Sequence, residues 1–442
     1  MRTTNFLLLI IFSLSLMAVQ NCLDFNYDQV HIDHDASLNM GTNDVTIEAW
    51  IKTNHVVTGN EWPQIVGKHT WGTRQGFALF VANTSNKIAF EVWIGGSHYA
   101  VWGQVINDGK WHHVVGRRSG NYIHVFKNDG ITGWSQPGSN GNINCSEPLM
   151  IGEQSWGSNN FDGMIEEVRV WNRALSNEEI KEMMFKELDG TETNLQAYYQ
   201  FNESSGDILP DLTPNNNDGE VGGNPDWTAS YAPLASNLLD GLSNIRGIWN
   251  AKTSHTSSIL TISDPNISGN NRVIFGHNAD SLVFNSSNVP IGIENRLARV
   301  WRLEEYGNLT GDITFNCTDL EGRNENYRLL VDADEDFSDA AIIEGSFTDP
   351  DFTVSDHSFE HSYYYTLAIA QEILPIPENV LIHTENDSII IYWDEVTGAT
   401  SYKVYSDTDP YGDFNALEYD GTDTSWSEPA DMKKFYYVTA VN

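Results

Sequence analysis

From just after the apolar amino end to about residue 230 the chain alternates short apolar runs with clusters of Gly, Asn, Asp and Ser. "VTIEAWIKT", "GFALFVA", "KIAFEVWIGG", "HYAVWGQVI", "WHHVVGRR", "NYIHVFKN" and "AYYQF" each have the length and period-two pattern of a strand and are bounded by turn residues. Many short strands at such spacing predict an antiparallel sandwich. One junction breaks the pattern, in "FDGMIEEVRVWNRALSNEEI" (161–180). There a strand over 164–171 runs into a helix: Ser176 with Glu179 three places on forms a capping box, and Ile180, Met183, Met184 and Leu188 continue at helical spacing. Strict alternation along that strand puts Met164, Val168 and Val170 on one side and Ile165, Arg169 and Trp171 on the other.

The same short runs return over 232–372, as in "RVIFGH", "RLARVWRLEEYG", "GDITFNC" and "YYYTLAIA", and predict a second sandwich. A Pro-marked boundary, "LPIPENV", precedes a third set of strands, "NVLIHTENDSIIIYWDEVTGATSYKVYS" and "KKFYYVTAVN". The expected fold is therefore all-β, with three consecutive β-sandwich modules over 22–230, 231–373 and 374–442 and one short helix in the first. A length of 442 residues suits several domains, and 14 Trp, 18 Tyr and 19 Phe supply apolar mass for several cores.

The amino end, "MRTTNFLLLIIFSLSLMAVQNC", has one cationic residue, Arg2, and then an apolar stretch from Phe6 to Val19. That stretch is shorter than the roughly 20 residues a spanning helix needs, and small or polar residues follow it. It reads as an export signal over 1–21, which places the mature chain outside the cell or on its surface, peripheral to a membrane at most. Three cysteines, Cys22, Cys145 and Cys317, are too few for a disulfide framework, though a single Cys22–Cys145 bridge stays open. The net charge is −37, and acid outnumbers base in all three modules. Nucleic acid or an anionic membrane would need a basic face that no module can supply, so neutral polymers, cations or proteins are the expected partners.

The adjacent pair Glu166-Glu167 invites a catalytic reading. Glycosidases hold two carboxyls roughly 5 Å apart, or roughly 6.5–9.5 Å for inversion, across one bond. Neighbours on a regular strand point to opposite faces, so these two are expected not to share a substrate. His112 and His113 diverge for the same reason and stand near no recognisable nucleophile. The central strands are more promising. In "KIAFEVWIGG" Ile88, Phe90, Val92 and Ile94 form an apolar face and leave Glu91 and Trp93 opposite; in "SHYAVWGQVI" Tyr99, Val101 and Val105 leave His98, Trp102 and Gln104. Aromatic rings beside hydrogen-bonding groups suit a sugar, whose C–H face stacks on an indole while polar side chains take its hydroxyls. Trp71, Trp134 and Trp156 stand in polar loops and are further contact candidates, whereas Trp50, Trp111 and Trp171, on strands, are expected in the core. Asp332, Asp334 and Asp336 in "VDADEDFSDA" have the spacing of the first half of an EF-hand loop, but Phe337 and Ile343 stand where Gly and the bidentate Glu belong, which leaves only a looser calcium turn.

"CLDFNYDQVHI", "VTIEAWIKT", "GKWHHVVGRR" and "FDGMIEEVRVWNRALSNEEI", followed by "LQAYYQFNESSGDILPDLTPNNNDG", resemble a laminin G-like, concanavalin A-like jelly-roll module over about 22–228. The resemblance implies two curved antiparallel sheets and binding of carbohydrate or protein, often with calcium. It also implies cation ligands near strand ends, here Asp24, Asn26, Asp28 and Asp162. Some relatives on this architecture are glycosidases or lyases, but the Glu-x-Asp-x-x-Glu strand of jelly-roll glucanases is missing here. Residues 232–372 resemble an uncharacterised module of secreted bacterial surface proteins. Residues 375–442 resemble a fibronectin type III domain, with Trp393, Tyr402 and Tyr436 as its aromatic core. The expected function is non-enzymatic recognition of a carbohydrate or glycosylated surface protein, with calcium as the candidate cofactor. A glycosidase or lyase using Glu91, and a structural surface protein without glycan ligand, are the alternatives.

Overall fold

A computed structural model describes residues 20–26, 28–70, 72–83, 85–128, 132–154, 159–223, 226–250, 252–320, 326–371, 374–430 and 434–441. The described chain is nearly all β, with six sheets and one α-helix, Asn177–Met183.

Two eight-stranded antiparallel sheets form the amino-terminal, concanavalin A-like domain. The first sheet runs in space as Thr132–Pro137, Tyr122–Lys127, Trp111–Ser119, Val45–Lys52, Asp162–Trp171, Asn21–Asn26 and Asp226–Ala229, with Leu195–Tyr199 paired to the end of Asp162–Trp171. The second runs as Ile208–Leu209, Gly219–Gly222, Gln29–Ile32, Leu149–Ile151, Gln64–Thr70, Gln75–Ala82, Lys87–Ile94 and Ser97–Val105. Alternate side chains of both meet in one core, where Ile47, Ile51, Ile165 and Val170 of the first sheet join Leu79, Phe90, Val92 and Val101 of the second.

The strand Asp162–Trp171 does not keep its expected alternation. Glu167 has φ 55°, and the pairing with Val45–Lys52 shifts between Glu166 and Arg169. The bulge adds one residue on this strand, so Ile165, Val168 and Val170 all enter the core. Ile165 thus leaves the side assigned to Arg169 and Trp171, and Glu166 and Glu167 share the outer face instead of opposing each other.

That outer face is closed in two ways. The helix begins with the expected capping box, Ser176 Oγ accepting from Glu179 N at 3.1 Å and Glu179 Oε2 accepting from Ser176 N at 2.7 Å. It ends at Met183, short of the predicted run to Leu188, and Ile180 and Leu175 cover Trp171, Tyr198 and Phe126. Beneath it Arg169 bonds Glu167 at 2.5 Å and donates to Met183 O at 2.9 Å, while Tyr198 donates to Glu167 Oε1 at 2.8 Å and Trp171 to Glu48 Oε1 at 2.7 Å. This network pairs charges that would otherwise be stranded in the protein interior, with Glu48 Oε2 and Arg169 Nε left without a hydrogen bond among the described residues.

The middle region closes the rest of the face. Its own core, around Trp301, Phe315, Tyr327 and Phe352, lies between an eight-stranded sheet containing Arg272–His277 and Tyr364–Ala370 and a five-stranded sheet containing Thr310–Asn316 and Asp351–Ser358. A separate cluster joins Leu239, Ile245, Trp249 and Ile274 of this region to Trp50, Trp111, Met184 and Phe185 of the jelly roll. Trp249 meets the rings of Trp50 at 5.7 Å and Phe185 at 5.4 Å and donates to Trp111 O at 3.2 Å. Gly247 permits this close approach, because a Cβ there would lie 2.6 Å from the Phe185 ring and force it to shift. Trp50, Trp111 and Trp171 are thus buried, but on the outer face and not between the sheets.

Over 381–441 two three-stranded sheets enclose Ile391, Trp393, Tyr402, Val404 and Val438, with Tyr436 partly buried beside them. Among the described residues Cys22, Cys145 and Cys317 form no disulfide, and Cys22 is buried at the contact between the first two regions. Among the described residues no helix is long and apolar enough to cross a membrane.

Candidate functional site

The outer face of the second sheet is built differently. On Gln75–Ala82 its outward positions are Gly76, Ala78 and Phe80; on Lys87–Ile94 they are Ala89, Glu91 and Trp93; on Ser97–Val105 they include His98 and Trp102. The register puts Gly76 between His69 and Trp93, Ala78 beside Glu91, and Trp93 beside His98. Gly76 has φ +117°, and a Cβ there would lie 2.1 Å from Lys68 O. With no side chain between them, the rings of His69 and Trp93 stack at 4.4 Å and 6°, and His98 lies on the other flank of Trp93 at 5.5 Å and 17°. Trp93 is consequently only 4% exposed. It is a wall held between imidazoles and not the open plate its sequence position suggests.

A loop residue completes the enclosure. The Trp62 ring meets Phe80 at 5.6 Å and 61°. Its backbone N donates to Asn159 Oδ1 at 2.8 Å, Gln154 donates to its carbonyl at 3.4 Å, and Asn159 donates to Gln154 Oε1 at 2.9 Å. The result is a half-open cavity of about 320 Å³, with Ala78, Phe80, Glu91 and Trp93 as its floor and Trp62, Gln154 and Asn159 along the loop side. That volume is at the lower end of small-ligand sites.

The polar groups converge on one edge. Glu91 Oε2 lies 2.8 Å from His98 Nε2. Burial pushes the Glu91 carboxyl up, and the bond to His98 partly offsets it. That bond in turn raises His98 above the ordinary histidine value. Burial pushes His69 down to about 3, so it is a neutral ring at physiological pH, bonded to Gln64 Oε1 at 2.8 Å. Among the described residues that line the cavity there is no Arg or Lys.

Of the residues singled out in the sequence, Glu91, Trp93 and His98 therefore come together. Trp102, 45% exposed, shares the sheet face but sits opposite Ala89, outside the cavity. A register shift opposite Lys87–Ala89 turns Val105 outward, against its expected place on the apolar side, and leaves Gln104 half-buried beyond the cavity. Trp134, 39% exposed, lies on the edge strand of the first sheet. Trp71 and Trp156 lie outside the described residues. Trp62 and His69 escaped the sequence reading. Trp62 carries the signal used for the other loop tryptophans, a large aromatic in a polar stretch, "GNEWPQ", whereas nothing local marks His69.

The acidic candidates are placed apart. Asn26 pairs with Asp162 across two strands and Asp24 pairs with Asp226, but Asp162 bonds His55 at 3.2 Å and Asp28 Oδ2 accepts from Asn26 N at 3.0 Å. Burial, then the charges of Asp162 and Asp226, pushes Asp24 up. Asp332, Asp334 and Asp336 each accept the backbone N–H two residues on, at 3.2, 2.8 and 3.2 Å, as a run of turn caps. Among the described residues no group of three or more His, Cys, Asp or Glu is arranged to hold a metal ion. His112 and His113 diverge, one bonded to Asp108 at 2.8 Å and the other 3.3 Å from Glu48.

Residues 24–181 match the family described as the concanavalin A-like lectin/glucanases superfamily, and residues 245–362 match a domain of unknown function. The fold and this match define a laminin G/concanavalin A-like domain at the amino end. No curated protein matches the chain. Among solved structures it is similar to a candidate carbohydrate binding protein from Bacteroides ovatus ATCC 8483, at 18% identity over 49% of this chain and 62% of that one, with a TM-score of 0.40. The chain thus spans under two thirds of that protein's length. It is also similar to the Ruminococcus gnavus IT-sialidase CBM40 bound to alpha2,3 sialyllactose (16% identity, 36% of this chain and 94% of that one, TM-score 0.30) and to mouse laminin alpha1 domains LG4-5 (10%, 79% and 80%, TM-score 0.31). At these scores none of the three speaks to what this chain binds.

Proposed function

We propose that this is an exported, non-enzymatic protein that recognises carbohydrate, free or on a glycosylated surface protein, through the cavity on the second sheet. The observation that carries this reading is the meeting of Trp62, Phe80 and Trp93 with the Glu91–His98 pair in one half-open space. Trp62 and Phe80 give apolar surface to the C–H face of a sugar ring, Trp93 walls the site between its two imidazoles, and a buried carboxylate bonded to an imidazole takes hydroxyls. Glu91 is the one carboxylate among the described lining residues, which favours recognition over two-carboxylate hydrolysis. The regions after residue 230 serve as spacer or adhesion modules, the last in the manner of a fibronectin type III domain.

The test is saturable binding of the chain from residue 22 onward to a glycan array, repeated with calcium and with a chelator. Trp62→Ala is expected to abolish binding, and Trp134→Ala, outside the cavity, to leave it unchanged. Failure of every glycan to bind, or full binding by the Trp62 variant, would sink the reading. Glycan cleavage that Glu91→Gln abolishes would move it to a glycosidase or lyase.

A further inference from the structure

We propose that the sugar taken by this cavity is neutral and carries an acetamido group, an inference that rests on the carbohydrate reading of the same site. The hydrogen-bonding capacity of the cavity is unevenly distributed. On the loop side Gln154 and Asn159 bond each other and the backbone of Trp62, each through its carbonyl oxygen and one of its two N–H groups. Glu91 has one oxygen on His98 and no hydrogen-bond partner for the other among the described residues. The cavity therefore offers an acceptor at one edge, and the register places that acceptor directly across from the Ala78 methyl, one step along the face from Phe80 and Trp93.

At the position facing Glu91 an unsubstituted hexose presents a hydroxyl, which gives the carboxylate a donor but leaves the apolar surface of Ala78 and Phe80 beside it without a partner. A ligand suited to the site needs a donor for Glu91 and an apolar group next to it. An acetamido substituent has both, with the amide N–H for the carboxylate and the methyl for the niche above Ala78 and Phe80. Acidic sugars lack a partner. The described lining residues hold no Arg or Lys, Arg74 is near enough to act on His98 but does not line the cavity, and His98 is already bonded to Glu91, so a second carboxylate would compete with Glu91 for one imidazole.

The experiment is calorimetric titration of the chain from residue 22 onward with N-acetylglucosamine and N-acetylgalactosamine oligomers, the matching glucose and galactose oligomers, a 6-deoxyhexose and a sialylated trisaccharide. The acetamido sugars are expected to bind about tenfold or more tightly than their parent hexoses, which is the scale of one buried methyl with its amide. Ala78→Val fills the niche with a residue that suits a strand. It is expected to bring acetylated and parent sugars to parity while tryptophan emission reports an intact fold. Equal or tighter binding of parent, deoxy or sialylated sugars, still lost in Trp62→Ala, would overturn the acetamido proposal and leave the carbohydrate reading standing. No binding by any sugar would overturn both.

Discussion

The two sheets of the jelly roll have outer faces of similar raw composition and opposite fates. Both carry tryptophan, histidine and glutamate at outward positions. On the first sheet Trp50, Trp111 and Trp171 are sealed by the helix and by the middle region, and Glu48, Glu166 and Glu167 are buried with them. On the second, Trp93 and Glu91 line an open cavity and Trp102 stays in solvent. An outward tryptophan on a strand thus does not by itself report whether anything covers that face. Whether the cover is the protein itself or a ligand depends on what the rest of the chain brings there.

The sealed face is where substitutions should cost most. Arg169→Ala leaves Glu167 and Glu48 buried without their cation, and Trp249→Ala removes the ring packed on Trp50 and Phe185. Each is expected to cost about 3–5 kcal/mol in chemical denaturation. Trp249→Ala should in addition split a single unfolding transition into two, because it cuts the contact between the regions. One transition with an unchanged midpoint would show that this face is not held by the middle region.

Gly247→Ala should act at the same contact with a smaller effect, about 1–3 kcal/mol, since a methyl must displace the Phe185 ring. On the open face Trp62→Ala should reverse the balance. It is expected to change stability by about 1 kcal/mol or less and to remove ligand binding, and a large stability loss would mean that Trp62 is structural cover like Trp50.

The two faces should also differ in pH response. Burial holds the Glu166 carboxyl, bonded to Ser230, well above the ordinary value of 4.5. The folded chain keeps that proton more tightly than the unfolded chain does. Glu166 therefore favours the folded contact fully below 4.5 and loses that advantage as pH rises through its raised folded value. The denaturation midpoint should fall on the alkaline side, with a shallower slope in Glu166→Gln, and equal slopes would refute this. On the open face His98, raised by Glu91, contributes below its ordinary value of 6.5 and loses its contribution as pH rises through the raised one. Tryptophan emission should titrate with a midpoint above 6.5 and shift downward in Glu91→Gln, the smallest effect of the set.

Much of this contrast was legible in the chain. Period-two alternation identified the strands, the Ser176–Glu179 pair located the helix start, and the parity of "KIAFEVWIGG" put Glu91 and Trp93 on one face. The bulge at Glu167 was not legible, because one extra residue leaves composition and spacing intact while reversing every side chain before it. Trp62 and His69 join the cavity from a loop and a neighbouring strand, and no local pattern ties either to Glu91.

The sequence by itself determined the elements and their two-faced character, since alternation, turn residues and caps act over a few positions. Which outer face would close, and which tryptophans would remain available to a ligand, was decided only by tertiary structure. Residues 247–250 must reach Trp111 and Phe185 from far along the chain, and Trp62 must fold back over Phe80. Burial is a property of what arrives from elsewhere, and a side chain's own neighbours in sequence do not encode it.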